Sequence, residues 1–107
     1  MVTVLGEFEL LVLLAVARLK DDAYAVSVRD EIETRTGRAV PRGSVYITLD
    51  RLTRKGCLRE GRAPGGSTRD GRAKRVFTVT AAGAAAAKTA LAGLRRMQQG
   101  LAWMTRE

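Results

Sequence analysis

The segment PRGSVYITLDRLTRKG, residues 41–56, has the spacing of a helix with one apolar face. Val45, Leu49 and Leu52 follow one another at intervals of four and three, which aligns them on one side of a helix with 3.6 residues per turn. A proline just before such a pattern suits a helix start, because its fixed backbone angle and missing N–H cost little there. Gly56 suits the end, because glycine readily adopts the left-handed conformation that closes a helix.

A basic loop follows this helix, between two short apolar segments. Residues 62–75 read RAPGGSTRDGRAKR, with five basic residues, one aspartate, three glycines and one proline. Glycine and proline at this density indicate a loop. Leu58 precedes it, and the alternation of Phe77 and Val79 after it predicts a strand with one buried face. The sequence therefore predicts a hairpin whose basic tip can meet phosphates, where Lys and Arg displace condensed counterions.

The first predicted helix, residues 5–19, is apolar on almost every side. A helix of that kind must also be covered on almost every side, and a chain of 107 residues has little material with which to do so. We therefore expect one side to pack in the core and the other side, with Leu10 and Leu14, to pack on a second subunit. The alternative is a central core helix in a compact monomer.

The second predicted helix, residues 23–36, has Ala25, Val28 and Ile32 as its inner stripe. The two aspartates just before it can cap its start by accepting backbone N–H groups. Gly37 ends it, and a short turn leads to the helix at residues 41–56. The charged residues expected to face water on its outer side are Arg29, Asp30, Glu31 and Glu33.

These elements together predict a winged helix-turn-helix, a mainly α fold with a small β-hairpin wing. Two helices joined by a short turn, the second of them basic, form the helix-turn-helix. We expect a DNA-binding domain over residues 1–79 and a C-terminal dimerisation helix over residues 80–107. Thr80 can cap that last helix through its hydroxyl.

The C-terminal helix has a seam of the kind that packed helix pairs use. Its apolar residues recur at alternating steps of three and four. The members of this seam are Ala87, Ala90, Leu94, Met97, Leu101 and Met104. We expect the last four to form a dimer interface with the first helix, the alternative being a helix that lies back on its own domain. Leu13 and Trp103 could line a pocket for a flat apolar ligand at this interface, although a tryptophan that simply packs is an equal alternative.

The surface opposite the apolar stripe of residues 41–56 is the predicted reading surface. A helix in the major groove usually contacts bases with its N-terminal half. The residues favoured for DNA contact on this ground are Arg42, Ser44, Ile47, Thr48 and Arg51. We expect Asp50 to pair with Arg54, one turn further on. The alternative is an ordinary surface helix with a solvated basic face.

The charge distribution supports an anionic partner. The net charge is +8, with an isoelectric point near 10.8. Residues 1–40 hold five basic and seven acidic side chains, whereas residues 41–75 hold ten basic and three acidic ones. The positive excess therefore lies on the predicted reading segment, which is typical of a nucleic-acid-binding protein.

The composition argues against an enzyme or a metalloprotein. There is no histidine and one cysteine, Cys57, so the commonest general base and the usual zinc-ligand spacings are absent. No phosphate-binding loop motif is present. The longest apolar run, residues 10–17, is too short to span a bilayer, and we expect a cytoplasmic protein without a cofactor. We expect Cys57 to be a small buried residue, the alternative being a redox switch.

Four segments resemble the PadR family of bacterial transcription regulators. They are LGEFELLVLLAVARL, DDAYAVSVRDEIETRTG, GSVYITLDRLTRKGCL and KRVFTVTAAG, and together they cover most of residues 5–83. The resemblance implies a homodimeric, ligand-responsive regulator, usually a repressor, bound to a palindromic operator. It also implies that Tyr46 touches the DNA backbone and that the wing cations are Arg69, Arg72 and Lys74.

The same resemblance implies that the C-terminal part mediates dimerisation and shapes an effector pocket for a small apolar or aromatic molecule. Two alternatives remain open. One is a DNA-binding regulator that senses no small molecule, and the other is a winged-helix protein-interaction module with weak or no DNA binding.

Overall fold

Five α-helices and one β-hairpin form the part of the chain that the computed structural model describes, residues 3–63 and 74–105. The elements are α1 (Glu7–Leu19), α2 (Ala25–Thr36), α3 (Arg42–Arg54), β1 (Leu58–Ala63), β2 (Lys74–Val79), α4 (Ala81–Gln98) and α5 (Ala102–Thr105). A short 3₁₀ turn, Lys20–Asp22, joins α1 to α2. This order confirms the predicted fold, which is mainly helical with a small hairpin between the third helix and the C-terminal one.

Helix α1 lies at the centre of the core and contacts α2, α3, α4 and β2. Its apolar residues therefore pack on several neighbours at once, as a helix apolar on most sides requires. The buried side chains that form the core are Val12, Leu13, Ala15, Val16, Ala23, Val28, Ile32, Val40, Val45, Leu49, Leu52, Cys57, Leu58, Phe77 and Ala86. The helix begins at Glu7 rather than at the predicted residue 5, because Glu9 Oε1 accepts the backbone N–H of Gly6 at 2.8 Å and caps it there.

The start of α2 differs from the prediction. No aspartate caps it; instead Ser27 Oγ accepts the backbone N–H of Tyr24 at 2.9 Å, so the helix begins at Ala25. Its predicted end is confirmed, since Gly37 has a left-handed backbone with φ of 71°.

The turn between α2 and α3 is held by two side chains that the sequence predicts to face water. Arg29 Nε donates to the carbonyl oxygen of Val40 at 2.7 Å, and Glu33 Oε2 accepts the N–H of Val40 at 2.8 Å. Val40 is buried, so these bonds satisfy both of its backbone polar groups where water does not reach them. The salt-bridged pair on α2 thereby fixes the angle at which α3 leaves the turn.

The junction after α3 brings three elements together. Gly56 ends the helix in the left-handed conformation, with φ of 80°. The carbonyl oxygen of Cys57 accepts the N–H of Thr80 at 3.0 Å, and Thr80 Oγ1 accepts the N–H of Gly83 at 3.0 Å. The predicted Thr80 cap is thus confirmed. Only a glycine fits at position 83, because a Cβ there would lie 2.2 Å from the carbonyl oxygen of Cys57.

The hairpin is longer than predicted. Its strands are antiparallel, in a register that pairs Leu58 with Val79, Glu60 with Phe77 and Ala63 with Lys74. Both ends of the predicted loop therefore belong to strands, because the ladder continues through the basic residues. A further bond of 3.0 Å, from the N–H of Phe77 to the carbonyl oxygen of Ala23, ties β2 to the residue before α2.

The C-terminal helix is interrupted, contrary to the prediction of one continuous seam. Helix α4 ends at Gln98, Gly100 takes a left-handed backbone with φ of 83°, and α5 starts at Ala102. Leu101 and Met104 therefore do not continue the helical register of Leu94 and Met97. A glycine with open space around it allows this break, because no packing opposes it.

Candidate nucleic-acid interface

The exposed face of α3 carries most of the predicted reading residues. Val45, Leu49 and Leu52 are buried, so the predicted stripe faces the core. On the remaining surface Arg42 and Arg51 are exposed, while Ser44 is half-buried. Two large side chains are exposed on the same helix, Tyr46 and, with 58% of its surface accessible, Ile47.

Thr48 is a correction to the predicted set. It is buried, with 4% of its surface accessible, and so cannot contact a base. The reason is visible in the spacing, because position 48 is three residues after Val45 and four before Leu52. The core face of α3 therefore includes Thr48 in the pattern i, i+3, i+4 and i+7. A strict count of helical neighbours would have placed Thr48 inside.

The strands of the hairpin present a second set of exposed cations. Arg59, Arg62 and Lys74 are exposed among the described residues. Lys74 Nζ lies 4.7 Å from the centroid of the Tyr24 ring, a cation–π contact that joins the hairpin to the start of α2. The predicted wing contacts Arg69 and Arg72 lie outside the described residues.

A notch of about 240 Å³ lies between α2, α3 and the hairpin. Its lining includes Tyr24, Tyr46, Lys74 and Arg75. Two phenols and the ammonium group of Lys74, which line one notch, are suited to an anionic group such as a phosphate, whereas Arg75 is bound by carboxylates. The sequence alone does not indicate this site, because only the fold brings Tyr24 next to Lys74.

The ion pairs divide the cations of the described chain into two groups. The arginines of α1, α2 and the turn that follows pair with carboxylates: Arg18 and Arg35 with Glu31, Arg29 with Glu33, and Arg38 with Glu7. Ion pairs between described residues involve none of the following exposed cations: Arg42, Arg51, Arg54, Arg59, Arg62 and Lys74. Lys20, Lys88, Arg95 and Arg96 are exposed and form no ion pair between described residues either, but six of these ten cations lie on α3 and the adjoining hairpin.

Two cations of this surface are exceptions, and Arg75 is the first. Its Nε and Nη2 donate to Glu60 on β1 at 2.8 and 3.0 Å, and Nη2 also donates to Asp50 on α3 at 2.7 Å. Asp50 thus pairs with Arg75, 25 residues along the chain, and not with Arg54 as predicted. The guanidinium of Arg75 lowers the pKa of Glu60, and Glu60 and Asp50 in turn raise the pKa of Arg75.

The second exception is Lys55, at the C-terminal end of α3. Its Nζ donates to both carboxylate oxygens of Glu9, at 2.9 and 2.8 Å, and to the carbonyl oxygen of Val4 at 3.2 Å. Burial by itself raises the pKa of Glu9, but the hydrogen bonds from Lys55 and Gly6 outweigh it, so the net pKa is lowered. The end of α3 is therefore tied to the start of α1.

The predicted dimer residues divide between core and surface. Leu94 and Met97 are exposed, the latter with 76% of its surface accessible. Leu10 is buried within the chain but lies in a groove of about 620 Å³ between the start of the chain and α4, and Leu14 is half-buried in a second groove between α1 and α2. Leu101 and Met104 are exposed beyond the break in the C-terminal helix.

The predicted ligand-pocket pair is not brought together. Leu13 belongs to the core, with 1% of its surface accessible, and therefore cannot line a pocket at a subunit interface. Trp103 is exposed on α5. The error arose because α1 lies at the centre of the fold, so that Leu13 joins the buried core rather than a surface. Cys57 is buried as expected, and burial raises the pKa of its thiol.

Within the described residues, no group of three or more His, Cys, Asp or Glu side chains could hold a metal ion. The helices in this part of the chain are all too short or too polar to cross a membrane.

Comparison with known proteins identifies the family. The family model described as the transcriptional regulator PadR-like family matches residues 13–89. This range includes the second half of α1, all of α2 and α3, the hairpin and the first half of α4. The chain belongs to the PadR family. No curated protein matches the chain in the sequence search.

Solved structures confirm the PadR-type fold. A PadR-like transcription factor from Bacteroides fragilis has a TM-score of 0.72 and 19% identity, over 88% of this chain and 85% of that one. A PadR family transcription regulator from hypervirulent Clostridium difficile R20291 has a TM-score of 0.73 and 18% identity, over 88% and 93%. F93 from STIV, a winged-helix DNA-binding protein, has a TM-score of 0.72 and 17% identity, over 92% and 98%.

Membership of the PadR family makes this chain a transcription regulator with a winged-helix DNA-binding fold, and not an enzyme. In PadR terms, α3 stands at the position of the recognition helix and the hairpin at that of the wing. Six of the ten exposed cations that form no ion pair between described residues lie on those two elements.

Proposed function

We propose that this PadR protein is a homodimeric repressor that binds a palindromic operator through α3 and the hairpin. One observation carries the proposal: of the ten exposed cations that form no ion pair between described residues, six lie on these two adjoining elements, while the arginines of α1 and α2 are in ion pairs. A folded protein that leaves one set of charges unneutralised is suited to an external anion. Such a regulator acts where the chromosome lies, in the cytoplasm.

The side chains divide by role. Arg42 and Arg51 are the candidates for base readout, because an arginine that binds a guanine through two hydrogen bonds contributes about 1–3 kcal/mol of discrimination. Ile47, exposed on the same face, suits an apolar contact with a thymine methyl group. Ser44, Tyr46 and the wing residues Arg69, Arg72 and Lys74 would bind phosphates, which sets the register without reading sequence.

The exposed surface of the C-terminal helices supports the homodimer. Helix α4 buries only Gly83 and Ala86 among its described side chains, whereas Leu94 and Met97 are open to solvent. A second copy that packs on this face and on the groove beside Leu10 would cover them. Residues 80–107 then serve for dimerisation, and residues 1–79 for DNA. A two-fold axis would place two α3 helices in successive major grooves, about 34 Å apart.

A small apolar or aromatic effector would release the operator from a site at the subunit seam. The groove between α4 and the start of the chain has a volume of about 620 Å³, within the range of small-molecule sites. Such a ligand changes DNA binding only if it favours one spacing of the two α3 helices over the other. Enhanced fluorescence of 8-anilinonaphthalene-1-sulfonate in the presence of the protein, lost on Leu94→Glu in this groove, would support such a site. A lack of enhancement would favour a regulator without a small-molecule effector.

The experiment that tests the proposal is binding of the purified protein to its own upstream DNA across a salt series, with an unrelated duplex as control. Arg51→Ala and Lys88→Ala each remove one exposed positive charge, the first from α3 and the second from α4. We expect Arg51→Ala to weaken operator binding by about 1–3 kcal/mol, and Lys88→Ala to leave it almost unchanged.

Two outcomes would count against the proposal. Equal and weak binding of the wild-type protein to both duplexes would favour a protein-interaction module on a winged-helix scaffold. An equal effect of the two substitutions would mean that net charge, and not the α3 surface, determines binding.

A further inference from the structure

The guanidinium of Arg75 joins three parts of the DNA-facing surface. It lies on β2, binds Glu60 on β1 through two nitrogens, and binds Asp50 on α3. Its central carbon also lies 5.3 Å from the centroid of the Phe77 ring, whose side chain is fully buried in the core. Arg75 is thus held from three sides by a carboxylate on each neighbouring element and by an aromatic face.

The bond from Arg75 to Asp50 is the one side-chain hydrogen bond between α3 and the hairpin among the described residues. A planar guanidinium that holds a carboxylate through two nitrogens has little freedom to rotate. Glu60 fixes Arg75 against β1. Nη2, which donates to Glu60, also donates to Asp50, and this second bond sets the distance between the middle of α3 and the strands.

We infer that Arg75 is a positioning residue for operator recognition: it fixes the orientation of the wing relative to α3 and neutralises Asp50 and Glu60. This inference rests on the proposed DNA-binding function. A bound operator must meet the cations of α3 and those of the wing at the same time, so a preset angle between them reduces the ordering that binding requires. Without Arg75, two carboxylates on this surface would also repel phosphates.

A competing role for Arg75 is direct contact with a phosphate, with the two carboxylates merely occupying it when DNA is absent. The two roles predict opposite results for Asp50→Asn. If Arg75 binds phosphate, removal of one negative charge frees it, and binding to every duplex becomes tighter. If Arg75 positions the wing, loss of the ionic contact lowers binding to the operator although a negative charge has been removed.

The test compares wild type, Asp50→Asn and Arg75→Lys on operator and unrelated duplexes at one salt concentration. We expect Asp50→Asn to lower the ratio of operator to non-specific affinity about fivefold, because asparagine keeps a hydrogen-bond acceptor but loses the charge that strengthens the bond. Arg75→Lys keeps the charge, but a single ammonium group cannot hold both carboxylates in the same geometry, so the ratio falls there too. Asp30→Asn on α2 is the matched control and should change both affinities equally.

Each outcome decides between the hypotheses. If wild type shows no preference for its operator, the proposed function itself is wrong. If wild type discriminates and Asp50→Asn binds both duplexes more tightly with the ratio unchanged, the positioning role is overturned. Asp50 is almost half exposed, so its replacement leaves the core intact; unchanged far-UV circular dichroism of each variant verifies this.

Discussion

Replacement of Gly83 by alanine probes the contact on which the position of α4 depends. The added Cβ would lie 2.2 Å from the carbonyl oxygen of Cys57 and 2.9 Å from its carbonyl carbon, against roughly 3.5–4.0 Å for carbon atoms in ordinary contact. Both opposing atoms belong to the backbone. That backbone is held on two sides, because Cys57 donates to the carbonyl oxygen of Leu52 at 2.9 Å and accepts from Thr80 at 3.0 Å. The backbone of Cys57 cannot move aside without the loss of one of these two hydrogen bonds.

The expected loss of stability follows from these contacts. Overpacking in a well-packed site destabilises a protein by about 1–3 kcal/mol. Withdrawal of α4 would also weaken the bond between Thr80 and Cys57, for about 1 kcal/mol more. The better helix propensity of alanine offsets about 1 kcal/mol. The net effect is a loss of about 1–3 kcal/mol, which is a large part of the roughly 5–15 kcal/mol by which domains are stable.

Urea unfolding followed by far-UV circular dichroism measures this change, at one protomer concentration because dimerisation makes stability concentration-dependent. Gly43→Ala is the matched control. That glycine lies in α3 with no atom within 4 Å of an added Cβ, so alanine there should be neutral or stabilise by up to about 1 kcal/mol. If Gly83→Ala unfolds within roughly 0.5 kcal/mol of wild type, α4 does not pack on Cys57 as described.

Two further predictions concern the groups with shifted pKa values. Because the pKa of Glu9 is lowered in the folded protein, its stabilising effect is complete above its ordinary value of 4.5 and is lost as the pH falls through the folded value. We therefore expect Glu9→Gln to lower the free energy of unfolding by about 1–3 kcal/mol at pH 7. The difference from wild type should be smaller below pH 4.5. An equal difference at the two pH values would exclude a role for the ionised carboxylate. Burial raises the pKa of Cys57, so iodoacetamide should label it in urea but only slowly in buffer, and equal labelling rates, measured by mass spectrometry, would contradict its burial.

Local signals predicted the helices and the hairpin because their causes lie within one turn or one strand. The apolar spacing of Val45, Leu49 and Leu52 placed α3, and the left-handed glycines at 37 and 56 ended their helices as expected. The Thr80 cap was also predictable, since its acceptor and donor are three residues apart. All these features depend on neighbours in sequence.

Contacts between distant segments could not be predicted in the same way. Arg29 and Glu33 had the pattern of a solvated helix face, yet both bind the backbone of Val40. Asp50 had a suitable partner one turn away but binds Arg75, 25 residues on, because the hairpin folds back beside α3. The break at Gly100 was missed because a heptad spacing continues through it, and spacing alone does not show where a helix ends.

The two ion-paired cations of the proposed DNA-binding surface, Lys55 and Arg75, both hold α3 in place. Lys55 ties the end of α3 to Glu9 on α1, and Arg75 ties its middle to the hairpin. The exposed cations without such partners are then available for phosphates. Loss of a partnered cation should therefore lower stability or discrimination, whereas loss of an unpartnered cation of the hairpin, such as Arg62, should lower affinity and the salt dependence of binding. Four of the eleven acidic residues, Glu9, Glu33, Asp50 and Glu60, thus hold α3 in place, and the exposed cations of α3 and the hairpin stay outside these ion pairs.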